Sequence, residues 1–90
     1  IGYADGYDRR FGSGVGTVLI HGQAAPVVGS VCMDMCMVDV TAIPQARAGD
    51  VALLFGEGLP LPELAGRIGT IAYELLTSVS ERVKRVFISE

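Results

Sequence analysis

The run Val28-Gly29-Ser30-Val31-Cys32-Met33-Asp34-Met35-Cys36-Met37-Val38-Asp39-Val40 most restricts what this chain can fold into, because it sets two carboxylates in an otherwise apolar, strand-like stretch. A run this apolar predicts a strand buried on both faces. Side chains alternate along a strand, so Cys32, Asp34, Cys36, Val38 and Val40 fall on one face and Val31, Met33, Met35, Met37 and Asp39 on the other. Asp34 then stands among thiols and valine. A buried carboxylate without partners costs several kcal/mol, so Asp34 requires donors close by or a site that uses its charge. Backbone N–H groups at a bulge or turn are the structural alternative, and a functional site is the other.

Ninety residues make one small domain, which buries only about two-thirds of the surface its unfolded chain exposes. With charged residues at 19% and a net charge of −3, both disorder and a nucleic-acid footprint are disfavoured. Cys32 and Cys36, four apart on a regular strand, would lie about 13 Å from each other, too far for a disulfide. Reduced thiols suggest a cytoplasmic setting. No apolar run approaches the about 20 residues that span a bilayer, and no secretory signal opens the chain. The start at Ile1-Gly2-Tyr3, without an initiator methionine, reads as part of a longer protein.

Residues 5–16 combine Asp5-Gly6, Gly12, Gly14 and Gly16 with Tyr7, Asp8, Arg9, Arg10 and Phe11, which predicts a long turn. Its glycine spacing is not a phosphate loop, because a strand and not a helix follows. Residues 17–20 and 25–28 form a hairpin in this reading, with Gly22 supplying the positive φ of the turn. The cysteine strand comes next, then a connection over residues 41–48 and a short buried strand over residues 51–55. Pro62 opens a helix over residues 62–68 that Gly69 stops, and Thr70 caps a second whose Ile71, Leu75 and Val79 form an apolar stripe with Leu76 beside it. Residues 82–88 alternate as a final strand. The fold class expected is mostly β, a small antiparallel barrel or sandwich with one short helical insertion at about residues 62–79.

Few groupings carry chemistry. His21 with the two cysteines lacks the ligand number and spacing of a zinc site. Ser30, His21 and Asp34 could be drawn together as a hydrolytic set, but no nucleophile elbow supports them. Tyr3 and Tyr7 flank Asp5, with Arg9 beyond, as a tuned proton donor or as an ordered turn. Tyr73, in the first turn of the second helix, could bond a phosphate or pack on the strands.

Four stretches occur in order over nearly the whole chain: Ile1-Gly2-Tyr3-Ala4-Asp5-Gly6-Tyr7; Gly22-Gln23-Ala24-Ala25-Pro26-Val27-Val28-Gly29; Val31-Cys32-Met33-Asp34; and Gly69-Thr70-Ile71-Ala72-Tyr73-Glu74-Leu75-Leu76, followed by Arg82-Val83. Together they resemble the C-terminal β domain of the alanine racemases. The resemblance implies that residues 1–90 are that domain, and that an N-terminal α/β barrel belongs to the rest of the protein. It implies a pyridoxal 5'-phosphate enzyme, held mainly by that barrel, that interconverts L- and D-alanine for peptidoglycan synthesis. By the same resemblance the cofactor lysine and the base tyrosine lie upstream, so this chain holds no catalytic residue and is inactive by itself.

Supporting roles follow from the match. Tyr3 would line the inner gate of the substrate entryway, Arg9 the corridor behind it, and the Met33 backbone would meet the substrate carboxylate. Asp34 would shape the corridor, and Tyr73 would reach the cofactor phosphate. In the family homodimer, Tyr3, Met33 and Asp34 would serve the opposite subunit's site and Tyr73 its own. The partners implied are a small amino-acid substrate and a second copy of the protein, with no nucleic acid, metal or membrane segment. Ser30 stands where many relatives carry a corridor arginine, and Lys84 where proline is usual. A serine racemase of the same architecture, or a non-catalytic β-barrel interaction domain, are the alternative readings.

Overall fold

The computed structural model describes residues 1–83. The chain opens with two 3-10 turns, Tyr3–Asp5 and Arg9–Phe11. Strands β1 (Thr17–Ile20) and β2 (Gln23–Val28) then pair antiparallel, joined by His21-Gly22. Both turn residues have positive φ, 52° and 73°, which is the backbone of the two-residue turn whose twist matches a hairpin. Strands β3 (Met37–Val38) and β4 (Ala52–Leu53) add to the edges, giving the order β3-β2-β1-β4 with every pairing antiparallel. Helices α1 (Leu61–Arg67) and α2 (Ala72–Thr77) form the helical insertion. The expected antiparallel β architecture with a helical segment is therefore present.

Local readings depart from expectation in four places. The apolar run is not one strand. Gly29, at φ 64°, ends β2, and residues 29–36 form a loop in which Cys32 N–H donates to the Met35 carbonyl at 2.9 Å. Met33, Met35 and Met37 are 54%, 60% and 58% exposed, so the stretch is not buried on both faces. An apolar run without β-branched density is ambiguous, and a left-handed glycine decided it. The strand expected over residues 51–55 shrinks to β4, which is exposed. Thr70 does not cap α2: Ile71 occupies the cap position with no side-chain bond, and Ile71 and Leu76 are exposed while Leu75 is buried. Arg82 and Val83 stand in a turn closed by Val83 N–H on the Ser80 carbonyl at 3.1 Å, and the rest of the expected final strand lies outside the described residues.

Two apolar clusters hold the sheet. Tyr7, Phe11, Val27 and Val31 pack against Leu59, Leu64, Ala65, Ile68 and Leu75, tying the opening turns to both helices. Val18, Ile20 and Ala25 pack on Ile43, from the connection after β3. Tyr7 stacks on Phe11 with ring centroids 4.9 Å apart. A Cβ on Gly16 would come within 2.7 Å of the Tyr7 hydroxyl, so glycine is required there to seat the ring. That hydroxyl is buried with no hydrogen-bond partner among the described residues, and burial pushes its pKa up to about 12. Replacing Tyr7 with Phe keeps the stack and removes an unsatisfied polar atom. It is expected to stabilise the parent protein by about 1 kcal/mol, read as a higher unfolding midpoint. A lower midpoint would mean that the hydroxyl has a partner.

Candidate functional site

The opening turns carry the candidate residues and are built by local bonds. Asp5 Oδ2 accepts the Gly2 N–H at 3.1 Å, and the Gly6 N–H, at φ 103°, returns to the Tyr3 carbonyl at 3.1 Å. Asp8 begins the second turn by accepting the Arg10 N–H at 2.8 Å. Arg10 is a bolt: it pairs with Asp8 at 2.8 Å and Glu74 at 3.1 Å, and donates to the Ile68 carbonyl at 3.0 Å, joining this turn to the end of α1 and to α2.

The loop at residues 32–34 docks on these turns through its backbone. Tyr3 N–H donates to the Cys32 carbonyl at 2.8 Å and Ala4 N–H to the Met33 carbonyl at 2.9 Å. These bonds satisfy groups that a sheet neighbour would otherwise take. They place Tyr3, Met33 and Asp34 on one surface. Arg9 joins them with its guanidinium carbon 5.6 Å from the Tyr3 ring centroid, a cation–π contact. The opening segment is thus an ordered turn that also carries a cation.

Asp34 is exposed, and no backbone donor among the described residues holds it. Its side chain is 61% exposed and accepts from Arg82 Nη2 at 2.7 Å. The same guanidinium grips Asp5 through Nε and through Nη2, the latter at 3.0 Å. Arg82, and after it the Gly2 N–H, holds the Asp5 carboxyl at about 2, below its ordinary 3.8. A carboxyl whose pKa falls on folding stabilises the fold above its ordinary value, and the contribution is lost as pH falls through about 2. The clamp is therefore intact at neutral pH.

Among the described residues, Tyr73 makes no hydrogen bond, ion pair or ring contact with Tyr3, Arg9, Met33 or Asp34. It is the second residue of α2 and is 72% exposed, so it does not pack on the strands. The hydrolytic grouping does not assemble, because His21 bonds Asp50 at 2.8 Å while Asp34 pairs with Arg82. Both thiols are free, and among the described residues no three His, Cys, Asp or Glu gather as a metal site. No helix among them is long and apolar enough to cross a membrane. Arg82 was not singled out for a role by its position in the sequence, since its partners lie 77 and 48 residues away. The signal for it was the presence of Asp5, Asp34 and Arg82 together among the matching stretches.

A family model described as alanine racemase, C-terminal domain, matches residues 1–87. The alanine racemase of Desulfovibrio desulfuricans is 55% identical over 89 residues, an alignment covering 98% of this chain and 24% of that protein. That of Stutzerimonas stutzeri is 54% identical over 87 residues, with 97% and 24% covered. Among solved structures, the biosynthetic alanine racemase of Pseudomonas aeruginosa matches with TM-score 0.90 and 44% identity, covering 98% of this chain and 24% of that one. The alanine racemase of Bartonella henselae with covalently bound pyridoxal phosphate matches with TM-score 0.92 and 39% identity, covering 98% and 26%. The chain spans about a quarter of the length of these relatives.

Proposed function

The chain belongs to the alanine racemase C-terminal domain family, and from that premise we propose that its parent protein is a pyridoxal-phosphate racemase interconverting L- and D-alanine, with peptidoglycan precursors as the use of the D-isomer. In this reading residues 1–90 are the C-terminal β domain, and a barrel elsewhere in the protein supplies the lysine and the base tyrosine. The parent works in the cytoplasm as a homodimer. The observation that carries the reading is the joint that brings Tyr3, Met33 and Asp34 to one exposed surface. Tyr3 and Met33 are exposed there beside the Arg9 cation and the Arg82 ion pairs with Asp5 and Asp34, and Ile1, Met35 and Met37 are exposed as well. Exposed large apolar side chains beside ion pairs suit a face that another domain or subunit covers.

Each residue has a defined task in this reading. The Met33 carbonyl is engaged by Ala4, so its N–H is the group that meets the substrate carboxylate. Tyr3 and the Arg9 cation above it narrow the approach to the opposite subunit's site, and Asp34 sets the charge of the corridor. Pyridoxal phosphate, when bound, supplies the electron sink for the charge left on Cα when its proton is removed. What this chain offers the cofactor is Tyr73, whose exposed phenol suits a phosphate contact. α2 is anchored beneath it by the buried Leu75 and by the Arg10–Glu74 pair.

Two measurements test the proposal. The full-length protein should convert L-alanine to D-alanine, and L-serine far more slowly; a preference for serine would move the assignment to serine racemase. Replacing Tyr73 with Phe keeps the ring and removes one hydrogen bond to phosphate, worth about 1.5 kcal/mol at an exposed site, so cofactor affinity should fall about tenfold. Unchanged affinity in that variant would remove the phosphate role.

A further inference from the structure

One guanidinium holds together three pieces of chain that are distant in sequence. Arg82 grips both oxygens of Asp5 and reaches Asp34 Oδ1 with the same Nη2, at 2.7 Å. The two carboxylates are not equivalent. Asp5 is 12% exposed and is itself fixed by the Gly2 N–H, whereas Asp34 is 61% exposed. Arg82 is fixed from the other side as well. The Asp5 carbonyl accepts the Ser80 N–H at 3.1 Å, and Ser80 Oγ accepts the Arg82 N–H at 3.3 Å. Asp5 and Ser80 are therefore the anchor and Asp34 is the load. An exposed aspartate in a loop samples several rotamers, and a forked, pre-ordered guanidinium selects one.

From this geometry we infer that Arg82 is a positioning residue for the substrate-facing surface. It orients the Asp34 carboxylate, and with it the turn at residues 32–35, against the turn that carries Tyr3. The inference rests on the reading that Tyr3, Met33 and Asp34 meet the amino-acid substrate. Arg82 acts through Asp34 and not on the substrate directly.

The test uses the full-length enzyme with Arg82→Lys, Arg82→Gln, Asp34→Asn and the double variant R82K/D34N. A lysine ammonium is a single point and cannot fork onto Asp5 while reaching Asp34, so R82K keeps the anchor and releases the load. R82K should raise KM for alanine about tenfold while kcat stays within about twofold, with the unfolding midpoint nearly unchanged. D34N should raise KM by a similar factor, and the double variant should be no worse than either single variant, because both remove one coupled interaction. R82Q should show the same rise in KM with an added loss of stability, and R82K keeps the question open to measurement where R82Q fails to fold. A rise in KM for D34N with none for R82K overturns the inference and spares the entryway reading, as does full additivity in the double variant. If KM is unmoved in both single variants, the entryway reading itself falls, and the inference with it.

Discussion

Replacing Gly2 with Ala should destabilise the full-length protein by about 3 kcal/mol or more and abolish most of its activity together with its stability. A Cβ at this position would lie 2.1 Å from the Cys32 carbonyl oxygen and 2.5 Å from that of Met33, both backbone atoms that no rotamer change can move. Those oxygens are the acceptors for Tyr3 and Ala4, at 2.8 and 2.9 Å. Relieving the clash therefore means separating the loop from the turn and losing two backbone hydrogen bonds. Gly2 also donates to Asp5, so the displacement propagates to the Arg82 clamp. The control is Gly22→Ala. That position has φ 73° with nothing within 4 Å of the added atom, so the cost is backbone strain alone, about 1 kcal/mol. A midpoint for Gly2→Ala no lower than that of Gly22→Ala would refute the close-packed joint.

This joint explains why the opening stretch of the chain is so rich in small and acidic residues. Gly2 permits the approach of residues 32–33. Gly6 sits at φ 103° with the Ser78 carbonyl oxygen 2.5 Å from where a Cβ would be, so it admits the segment leading to Arg82. Asp5 bonds both ends of the construction. The motif is largely a joint of backbone contacts, and the side chains proposed above to face the substrate are mounted on it.

What could be read in advance was what local physics decides. The hairpin was legible because His21-Gly22 carries the only short turn chemistry between two alternating runs, and α1 because Pro62 and Gly69 punctuate it. The loop at residues 29–36 was not legible from periodicity, since an apolar run has the same composition whether a sheet or a covered surface takes it up. Its fate turned on Gly29 in the left-handed region and on backbone partners some 30 residues away. Burial of Ile43 beneath β1 and β2 was likewise invisible, because a lone isoleucine beside Pro44 carries no pattern. The candidate site followed the same division. Resemblance pointed to Tyr3, Arg9, Met33, Asp34 and Tyr73; Tyr73 lies on α2, while the structure docks the backbone of residues 32–33 on the turn carrying Tyr3 and Arg9. Their support, Arg82 with Asp5, depended on contacts of very long sequence separation. Asp34 shows the difference most clearly: alternation along a strand placed it in the core, and the structure places it at the surface on the end of a guanidinium.

That placement makes Asp34→Ala the most decisive substitution for function. An exposed ion pair contributes little to folding, because solvent screens it and two side chains must be ordered, so the loss of stability should stay within about 1 kcal/mol. Asp5 remains paired with Arg82 in the variant, so the anchor of the clamp survives. In the proposed reading the corridor, in contrast, would lose its acidic group and leave one edge of the Arg82 guanidinium without its second carboxylate. A zwitterionic amino acid passing that edge would meet an altered field at both its ammonium and its carboxylate, and a charge-assisted contact is worth about 1.5–3 kcal/mol. kcat/KM for alanine should therefore fall between about tenfold and a hundredfold, mainly through KM, while the unfolding midpoint moves by no more than about 3 °C. Steady-state kinetics beside thermal unfolding of the full-length enzyme separates the two effects. If the midpoint and kcat/KM fall in proportion, Asp34 serves the fold through Arg82 alone, and the exposed surface formed with Tyr3 and Met33 is not the approach to the substrate.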